Sequence, residues 1–536
     1  MKVIKTHLRS LIISLLLIAA LLSVAFLFPN PRASFFEVTG EEGLLRQVRA
    51  VIQWSFRWMR PLPQLAADTA VAYTGEVPFG VNTFLDQEVE PQKRDQTLQM
   101  VKNAGFQWIR QSFPWYDIEI HGKGDFEDRR HEPYRSAWDK YDQIVDLSEH
   151  YNLNIIARLE APPGWSRDDG DARGAFGPPD DLDDYGDYVK AVVSRYQGRI
   201  QFYQIWNEPN IYPEWGNQMV DPAGYSALLC LAYEIVKTAD PQAVVISGAM
   251  APTVELGTWN PGYQGNNMMD VVFLQRMYDA GAGDCFDIMA VNDYMLWSGP
   301  TDQRLRVTQV NFSRPLWVRD VMVANGDAEK PIWISEMNSN AVPEGLEPRF
   351  GRVTLEQQAL YAPVAFERLQ REWPWVGVTT VWFFKPVSDA RQDQPFYFFR
   401  MLEPDFTPLP VYNSLAHYIN ALIPTLYAGH HQESTWQLHY SGAWDDVKDV
   451  EAVLGFYRQS RESGASVSLA WEGRRIILQP GPDEGVLRIT NGSGKTRDVI
   501  LDGRSIVLDQ GLMVKPRRLQ LSVVDGFVSI DDITVQ

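Results

Sequence analysis

The chain has 536 residues, of which 49 are lysine or arginine and 68 are aspartate or glutamate, so its formal net charge is −19. Nucleic-acid binding depends on clustered cations. Because this chain has a large acidic excess, we expect no nucleic-acid partner. Apolar residues make up 45% of the chain and charged residues 22%, which excludes a disordered, collagenous or wholly membrane-embedded protein. The length fits roughly two to four domains, or one large barrel with a smaller module.

Residues 1–30 have the pattern of an export signal. Lys2, Lys5 and Arg9 precede an uncharged apolar run from Ser10 to Phe28. This run is long enough to span a bilayer and exceeds the roughly 7 to 15 residues usual in a cleavable signal peptide. It predicts an uncleaved signal anchor, with a cleaved signal peptide as the alternative. Either one leaves the rest of the chain extracytoplasmic, membrane-anchored in the first case and secreted in the second.

Residues 31–74 form an amphipathic linker. Apolar residues alternate within it with Arg46, Arg49, Arg57 and Arg60. This pattern predicts either a helix at the membrane interface or a helix that packs on the following domain.

Two cysteines, Cys230 and Cys285, are the only ones in the chain, and both have apolar neighbours in the sequence. They cannot form a C-x-x-C redox or zinc motif. We therefore expect two unpaired buried thiols and a protein that is stable without disulfides.

From Phe79 onward, short apolar runs alternate with longer segments of helical spacing. The apolar runs predict eight strands, at residues 79–82, 107–111, 154–159, 201–206, 243–247, 286–291, 331–335 and 378–383. The helical segments are residues 92–103, 138–150, 185–196, 225–238, 270–279, 316–325, 355–372 and 411–422. Continuously apolar strands separated by amphipathic helices indicate a parallel sheet covered by helices. Eight such units predict an α/β fold, a (β/α)8 TIM barrel at residues 75–424.

The chemistry of such a barrel lies at the C-terminal ends of its strands. The residues that end the predicted strands are Asn82, Arg110, Glu160, Asn207, Glu208, Gly248, Asn292, Asp293, Tyr294, Glu336, Asn338 and Trp382. Glu208 and Glu336 are carboxylates that follow strands four and seven. Glycoside hydrolysis needs one carboxyl group to protonate the leaving oxygen and a second to capture or stabilise the oxocarbenium-like centre. These two glutamates therefore indicate a glycosidase.

The sequence around both glutamates resembles a known group of enzymes. The string IWNEPN at residues 205–210 is similar to the strand-four motif of clan A glycoside hydrolases, and WISEMNS at residues 333–339 is similar to their strand-seven motif. The resemblance implies that Glu208 is the general acid/base, that Asn207 binds the sugar 2-hydroxyl and that Glu336 is the nucleophile. It covers about residues 75–424 and looks most like family 39, the β-xylosidase and α-L-iduronidase family. Family 5 and related families share these strings.

Further positions resemble the clan one by one. Arg110 matches the strand-two arginine beside the nucleophile, and Tyr294 matches the strand-six tyrosine that donates a hydrogen bond to it. Trp382 matches the strand-eight tryptophan beneath the reacting sugar. Asn292 departs from the pattern, because clan members often carry histidine there. Asparagine can bond a sugar hydroxyl but cannot be protonated, which leaves the substrate open.

The remaining substrate-binding candidates each have a structural alternative. Glu160 either binds substrate or forms an ion pair, and Asn338 belongs to the strand-seven string. Four tryptophans follow predicted strands and either stack on sugar rings or anchor loops: Trp115, Trp165, Trp215 and Trp297. The acidic loop at residues 168–171 lacks the glutamate of an EF-hand, so we expect no metal, and we also expect no cofactor.

After Pro424 the helical spacing stops. Residues 425–536 predict a β-sandwich module with strands at residues 466–471, 475–479, 485–490, 497–502 and 519–524. Turn dipeptides are expected at Glu472-Gly473, Asn491-Gly492 and Asp502-Gly503. A structural role for this module is favoured over carbohydrate binding.

The mechanism follows from the two protonation states. An ionised Glu336 within about 5 to 5.5 Å would raise the pKa of Glu208 and keep it protonated as the acid. Glu336, beside Arg110 and Tyr294, would attack the anomeric carbon. The sequence thus predicts a retaining glycosidase that cleaves oligo- or polysaccharides by double displacement. Two alternatives use the same barrel, a non-catalytic carbohydrate-binding or polysaccharide-assembly protein and a cell-surface transglycosylase.

Overall fold

A computed structural model of the chain describes residues 31–256 and 267–536. The predicted signal segment, residues 1–30, lies outside the described residues. Within the two described ranges, no helix is both long enough and apolar enough to cross a membrane.

Eight parallel strands form the centre of the larger unit. They are β1 Phe79–Thr83, β2 Trp108–Pro114, β3 Asn154–Glu160, β4 Phe202–Ile205, β5 Val244–Ile246, β6 Met289–Asn292, β7 Ile332–Met337 and β8 Val376–Val381. Their order in the sheet is β5-β4-β3-β2-β1-β8-β7-β6. Isolated parallel bridges between Ile246 and Ile288 and between Met250 and Val291 join its two edges. The sheet therefore closes into a barrel, as the sequence predicts.

Helices follow the strands and cover the barrel. They are α3 Pro91–Asn103, α4 Asp139–His150, α5 Leu182–Arg195, α6 Pro222–Ala239, α7 Asp270–Asp279, α8 Pro315–Ala324, α9 Leu355–Glu372 and α10 Pro410–Ala421. Several begin at side chains that cap the free backbone N–H groups, such as Asp181 and Asp221, and Thr354 forms a reciprocal capping box with Gln357. Their inward faces join one continuous apolar core with the strands.

Two short helices precede the barrel, α1 Pro31–Thr39 and α2 Leu44–Ser55. One face of α2 is buried through Gln47, Ala50 and Val51, so this helix packs on the rest of the protein. Its outer face leaves Leu45 86% exposed. The chain then continues to the N-terminal ends of the barrel strands, where the Tyr73 carbonyl accepts a hydrogen bond from the Trp333 indole at 3.1 Å.

Cys230 in α6 and Cys285 beyond α7 form a disulfide. The prediction of two unpaired buried thiols is therefore wrong, and both residues are half-buried. The two positions are 55 residues apart in sequence, and the parallel pairing of the barrel brings α6 next to the turn that carries Cys285. Local sequence carries no sign of that proximity.

The C-terminal module consists of two mainly antiparallel sheets, with an apolar cluster of its own. Its strands are β9 Thr425–Leu426, β10 Gly429–Gln432, β11 His439–Ser441, β12 Asp445–Lys448, β13 Phe456–Ser460, β14 Ser466–Gln479, β15 Glu484–Asn491, β16 Thr496–Asp502, β17 Ile506–Gly526, β18 Val528–Ile530 and β19 Asp532–Val535. The predicted turn at Glu472-Gly473 is wrong. Strand β14 runs through it, and the register of β14 against β17 shifts between Gly473 and Arg475 as in a bulge.

Candidate active site

Glu208 and Glu336 lie at the same end of the barrel, where strands β4 and β7 finish. Strand β4 ends at Ile205, and the chain then turns through left-handed conformations at Trp206, with φ of 73°, and at Glu208, with φ of 43°. The Glu208 amide donates a hydrogen bond to the Ala249 carbonyl at 2.9 Å, which fixes this turn. Such strained positions are held by their surroundings and cluster at functional sites.

Glu336 is a residue of β7 itself and is almost completely buried. Its Oε1 atom forms an ion pair with the Arg110 guanidinium at 3.0 Å. Its Oε2 atom accepts a hydrogen bond from the Tyr294 hydroxyl. Each carboxylate oxygen of Glu336 thus has a donor, and one of the two donors is a cation.

Arg110 is held by amide side chains around the guanidinium. Its Nε donates to Gln204 Oε1 at 2.6 Å, and Nη1 donates to Asn82 Oδ1 at 2.8 Å. Its Nη2 donates to Asn207 Oδ1 at 2.7 Å. The amide nitrogen of Asn207 therefore points away from Arg110, and no described side chain accepts a hydrogen bond from it. The resulting network ties Glu336 to the residue that precedes Glu208.

Glu208 has a different environment. Its Oε1 accepts a hydrogen bond from Asn292 Nδ2 at 2.7 Å, while Asn292 Oδ1 is buried without a partner among the described residues. Burial, together with the charge of Glu336, raises the pKa of Glu208 to about 8. The carboxyl group is consequently protonated at neutral pH, as a general acid must be.

A second layer of charges surrounds the pair. Arg158, in β3, forms an ion pair with Glu160 at 2.6 Å, and the Ser112 hydroxyl donates to Glu160 at 3.1 Å. Glu160 therefore has the ion-paired role that the sequence left as one alternative. Burial raises the pKa of Glu214 well above its usual range.

Sequence reasoning missed Arg158, Gln204 and Glu214. Arg158 lies in β3, two residues before Glu160, which ends that strand. Gln204 lies in β4, two residues before Trp206. Both side chains are on the inward face of the barrel. The alternation of inward and outward positions along these strands is the signal that could have identified them. Glu214 lies in the loop after β4, where no local motif marks it.

The predicted tryptophans have different environments. Trp382 is half-buried at the end of β8, with its ring 5.5 Å from the Phe84 ring. Trp115 and Trp215 are buried in the core, which favours the loop-anchoring alternative for both. Trp165 is half-buried and packs edge-on against Trp115, and its indole donates to the Glu119 carbonyl at 2.8 Å. Trp297 is 61% exposed.

Asn338 has a structural role. Its Nδ2 donates to the Trp382 and Phe399 carbonyls, and its Oδ1 accepts from the Ser339 amide at 2.8 Å. Because these contacts use both amide hydrogens and the oxygen of Asn338, the prediction that it binds substrate is wrong. It instead connects the ends of β7 and β8.

The site contains a protonated carboxyl group opposite an ion-paired carboxylate. This combination can donate a proton to one atom of a substrate while the second carboxylate attacks another. Across residues 31–256 and 267–536, no group of three or more His, Cys, Asp or Glu could hold a metal ion.

Comparison with known proteins finds similarity to solved structures of glycoside hydrolases. A family 39 glycoside hydrolase from Bacteroides cellulosilyticus WH2 is 19% identical, covers 85% of this chain and 83% of its own, and has a TM-score of 0.49. A monomeric β-xylosidase from Caulobacter crescentus CB15 is 14% identical, with coverages of 86% and 97% and a TM-score of 0.46. Xylanase 10B from Thermotoga maritima is 16% identical, with coverages of 65% and 97% and a TM-score of 0.43. No protein-family model and no curated protein sequence matches the chain.

Proposed function

We propose that the chain is a retaining O-glycosidase that cleaves oligo- or polysaccharides by double displacement. The observation that carries this proposal is the contrast between the two glutamates at the barrel mouth. Glu336 has a cation on one oxygen and a hydroxyl donor on the other. Glu208 has a raised pKa and a single amide donor. Environments that separate two carboxyl groups in this way assign the acid and the nucleophile.

The first displacement uses both groups. The Glu336 carboxylate attacks the anomeric carbon while the Glu208 carboxyl protonates the leaving glycosidic oxygen, so the glycosidic bond breaks and a glycosyl ester forms. In the second displacement, Glu208 removes a proton from water, and the resulting oxygen attacks the same carbon and releases Glu336. Two inversions leave the anomeric configuration unchanged. Asn207, Asn292 and Trp382 are assigned to substrate binding.

The stereochemistry of the product tests this mechanism. Proton NMR of the first product formed from an aryl glycoside should show the anomer of the substrate. Glu336→Ala should abolish hydrolysis, and azide should restore part of the activity by replacing the missing nucleophile. Inversion of configuration, or full activity in Glu336→Ala, would reject the assignment.

Transglycosylation is the second candidate, because the same glycosyl ester can be captured by a sugar hydroxyl instead of water. Product analysis with and without an added oligosaccharide acceptor separates the two reactions. A non-catalytic carbohydrate-binding or polysaccharide-assembly role predicts no turnover of any glycoside by the wild-type chain.

We further propose that the protein is extracytoplasmic and attached to a membrane by its N-terminal segment. The Cys230–Cys285 disulfide supports an oxidising compartment. Exposed apolar side chains on and after α2 support a nearby membrane surface: Leu44, Leu45, Val48, Phe56, Met59 and Leu62. Alkaline extraction of membranes from cells that express the full chain tests this, because an anchored chain stays in the pellet. Release of the full chain into the extract would contradict the proposal.

A further inference from the structure

A cleft of about 620 Å³ lies between helix α2 and the loop that follows β6. Arg46 and Arg49 line one wall, and Arg306 and Trp297 line the other. Trp297 lies three residues beyond Tyr294, which contacts the proposed nucleophile. The cleft therefore borders the loop that begins in the candidate active site.

Three of these residues are arginines that form no ion pair with a described acidic side chain. In the described part of the chain, no ion pair is formed by Arg46, Arg49 or Arg306, whereas most arginines of the barrel are paired. The chain as a whole carries a net charge of −19. A local excess of unpaired arginines in such a protein requires an explanation, and anion binding supplies one, because a guanidinium matches carboxylate and sulfate geometry.

The walls of the cleft are fixed. Arg304 is buried between them, and it donates to Asp302 at 2.8 Å, to Gln53 at 3.2 Å and to Glu41 at 3.0 Å. The Gln303 amide donates to the Val38 carbonyl at 3.1 Å, which attaches the loop to the N-terminal segment. A cleft with fixed walls loses little conformational entropy when a ligand binds.

The indole of Trp297 adds a second kind of contact. It is 61% exposed, although burying so large an apolar ring is favourable. An exposed aromatic face beside cations suits a ligand that carries both an apolar ring face and an acidic group. An acidic sugar unit has both, whereas an isolated phosphate has only the charge.

We propose that this cleft binds an acidic sugar unit, carrying a carboxylate or a sulfate group, of a polysaccharide that extends from the barrel mouth. The sugar part of this inference rests on the proposed glycosidase function. Arg46, Arg49 and Arg306 bind the acidic group, and Trp297 stacks on the ring. The sequence alone does not indicate the cleft, because its two walls are about 250 residues apart in the chain.

Affinity electrophoresis of the full chain in detergent tests this proposal without requiring turnover. The native gel contains polygalacturonate, dextran sulfate or neutral dextran. We expect retardation in one or both anionic gels, with the stronger one identifying the acidic group, and none in neutral dextran. Arg46→Gln/Arg49→Gln/Arg306→Gln should lose at least about tenfold in affinity, because three charged contacts disappear. Trp297→Ala should also weaken retardation.

A matched control removes three positive charges outside the cleft. Arg60→Gln/Arg474→Gln/Arg475→Gln changes exposed arginines outside the cleft and should migrate as the wild type does. Equal retardation of the cleft variant and this control, or no retardation of the wild type, would overturn the proposal. Binding to phosphatidylglycerol and phosphatidylcholine vesicles is measured as well. If the cleft variant loses only a preference for phosphatidylglycerol and keeps its retardation in the gels, the proposal is also overturned and the cleft binds a lipid surface.

The electrophoresis separates this inference from the proposed function. Glu336→Ala should be retarded like the wild type, because the nucleophile lies outside the cleft. If Glu336→Ala kept full hydrolytic activity, the proposed mechanism would fail, while the retardation of the cleft variant would still decide the binding site.

Discussion

Asn292 controls the protonation of the proposed acid. Its amide donates to Glu208 and stabilises the charged form, so this hydrogen bond partly offsets the effect of burial, and the resulting pKa of Glu208 is about 8. Activity requires protonated Glu208 and should fall as the pH rises through that pKa. In Asn292→Ala the pKa of Glu208 should be higher, and the basic limb of the kcat/KM profile should move to higher pH. An aryl glycoside assay across pH 6 to 10 measures the limb.

Asn325→Ala is the control for this prediction, because Asn325 is an exposed residue at the end of α8 and does not contact the site. Its pH profile should match that of the wild type. A basic limb that moves to lower pH in Asn292→Ala would contradict the assigned role.

Asp293 is a buried carboxyl group whose oxygens have no hydrogen-bond partner among the described residues. Burial raises its pKa well above the usual range. Above the unfolded-state pKa of about 4, the unfolded chain releases a proton that the folded protein keeps. Stability is therefore lost as the pH rises, by up to about 1.4 kcal/mol per pH unit. Asp293→Asn removes this dependence.

The expected result is a difference in unfolding free energy, Asp293→Asn minus wild type, that grows from pH 4 to pH 7. Denaturant titrations at both pH values measure it. Asp279→Asn, at an exposed position at the end of α7, should show no such growth. A difference that shrinks with rising pH would mean that Asp293 is ionised in the folded protein.

Local sequence motifs were sufficient to predict Glu208, Glu336, Arg110 and Tyr294 as a cluster. Glu208 and Tyr294 follow barrel strands, while Arg110 and Glu336 lie within theirs, and Glu336 contacts both Arg110 and Tyr294. The contacts of Arg158 and Glu160 were not predictable in the same way. Whether Glu160 faces a sugar or an arginine depends on the conformation of a side chain two residues away. The exposure of the four loop tryptophans could not be predicted either, because it depends on which other segments of the chain pack on each loop.

At the scale of elements, all eight barrel strands were predicted, but several of their ends were not. Strand β7 continues through Glu336 to Met337, although the apolar run stops at residue 335, because parallel partners on both sides supply hydrogen bonds to polar residues too. The false turn at Glu472-Gly473 has a similar origin. Strand β14 pairs with β17 through Glu472 and Gly473, and this pairing overrides a local turn signal.

The Cys230–Cys285 disulfide joins α6 to the turn after α7. Because it closes a loop of 55 residues, chain-entropy arguments give a stabilisation of about 4 kcal/mol. Cys230→Ser/Cys285→Ser should lower the melting temperature, and dithiothreitol should lower that of the wild type but leave the variant unchanged. Thermal unfolding with and without reductant measures both effects. Equal melting temperatures for wild type and variant without reductant would contradict the prediction.

At the scale of the whole molecule, two segments cover the end of the barrel opposite the candidate site. The N-terminal segment reaches it at Tyr73, beside the Trp333 indole. The C-terminal module reaches it through Trp436, whose amide donates to the Gly75 carbonyl at 2.9 Å. The module therefore attaches away from the C-terminal ends of the strands, which supports a structural role for it.

Trp436 should couple the unfolding of the module to that of the barrel. Its ring packs on the Phe79 ring of β1 with centroids 6.0 Å apart, and the Arg371–Glu472 ion pair at 2.6 Å is a further contact between the two units. A partly exposed ion pair contributes little, so most of the coupling depends on the aromatic contact between buried Phe79 and half-buried Trp436. Trp436→Ala should cost about 3 kcal/mol and separate one calorimetric transition into two. Trp444→Ala, which removes a tryptophan packed within the module on Tyr440, should lower stability without separating them. A single transition in Trp436→Ala would show that the two units unfold together for another reason.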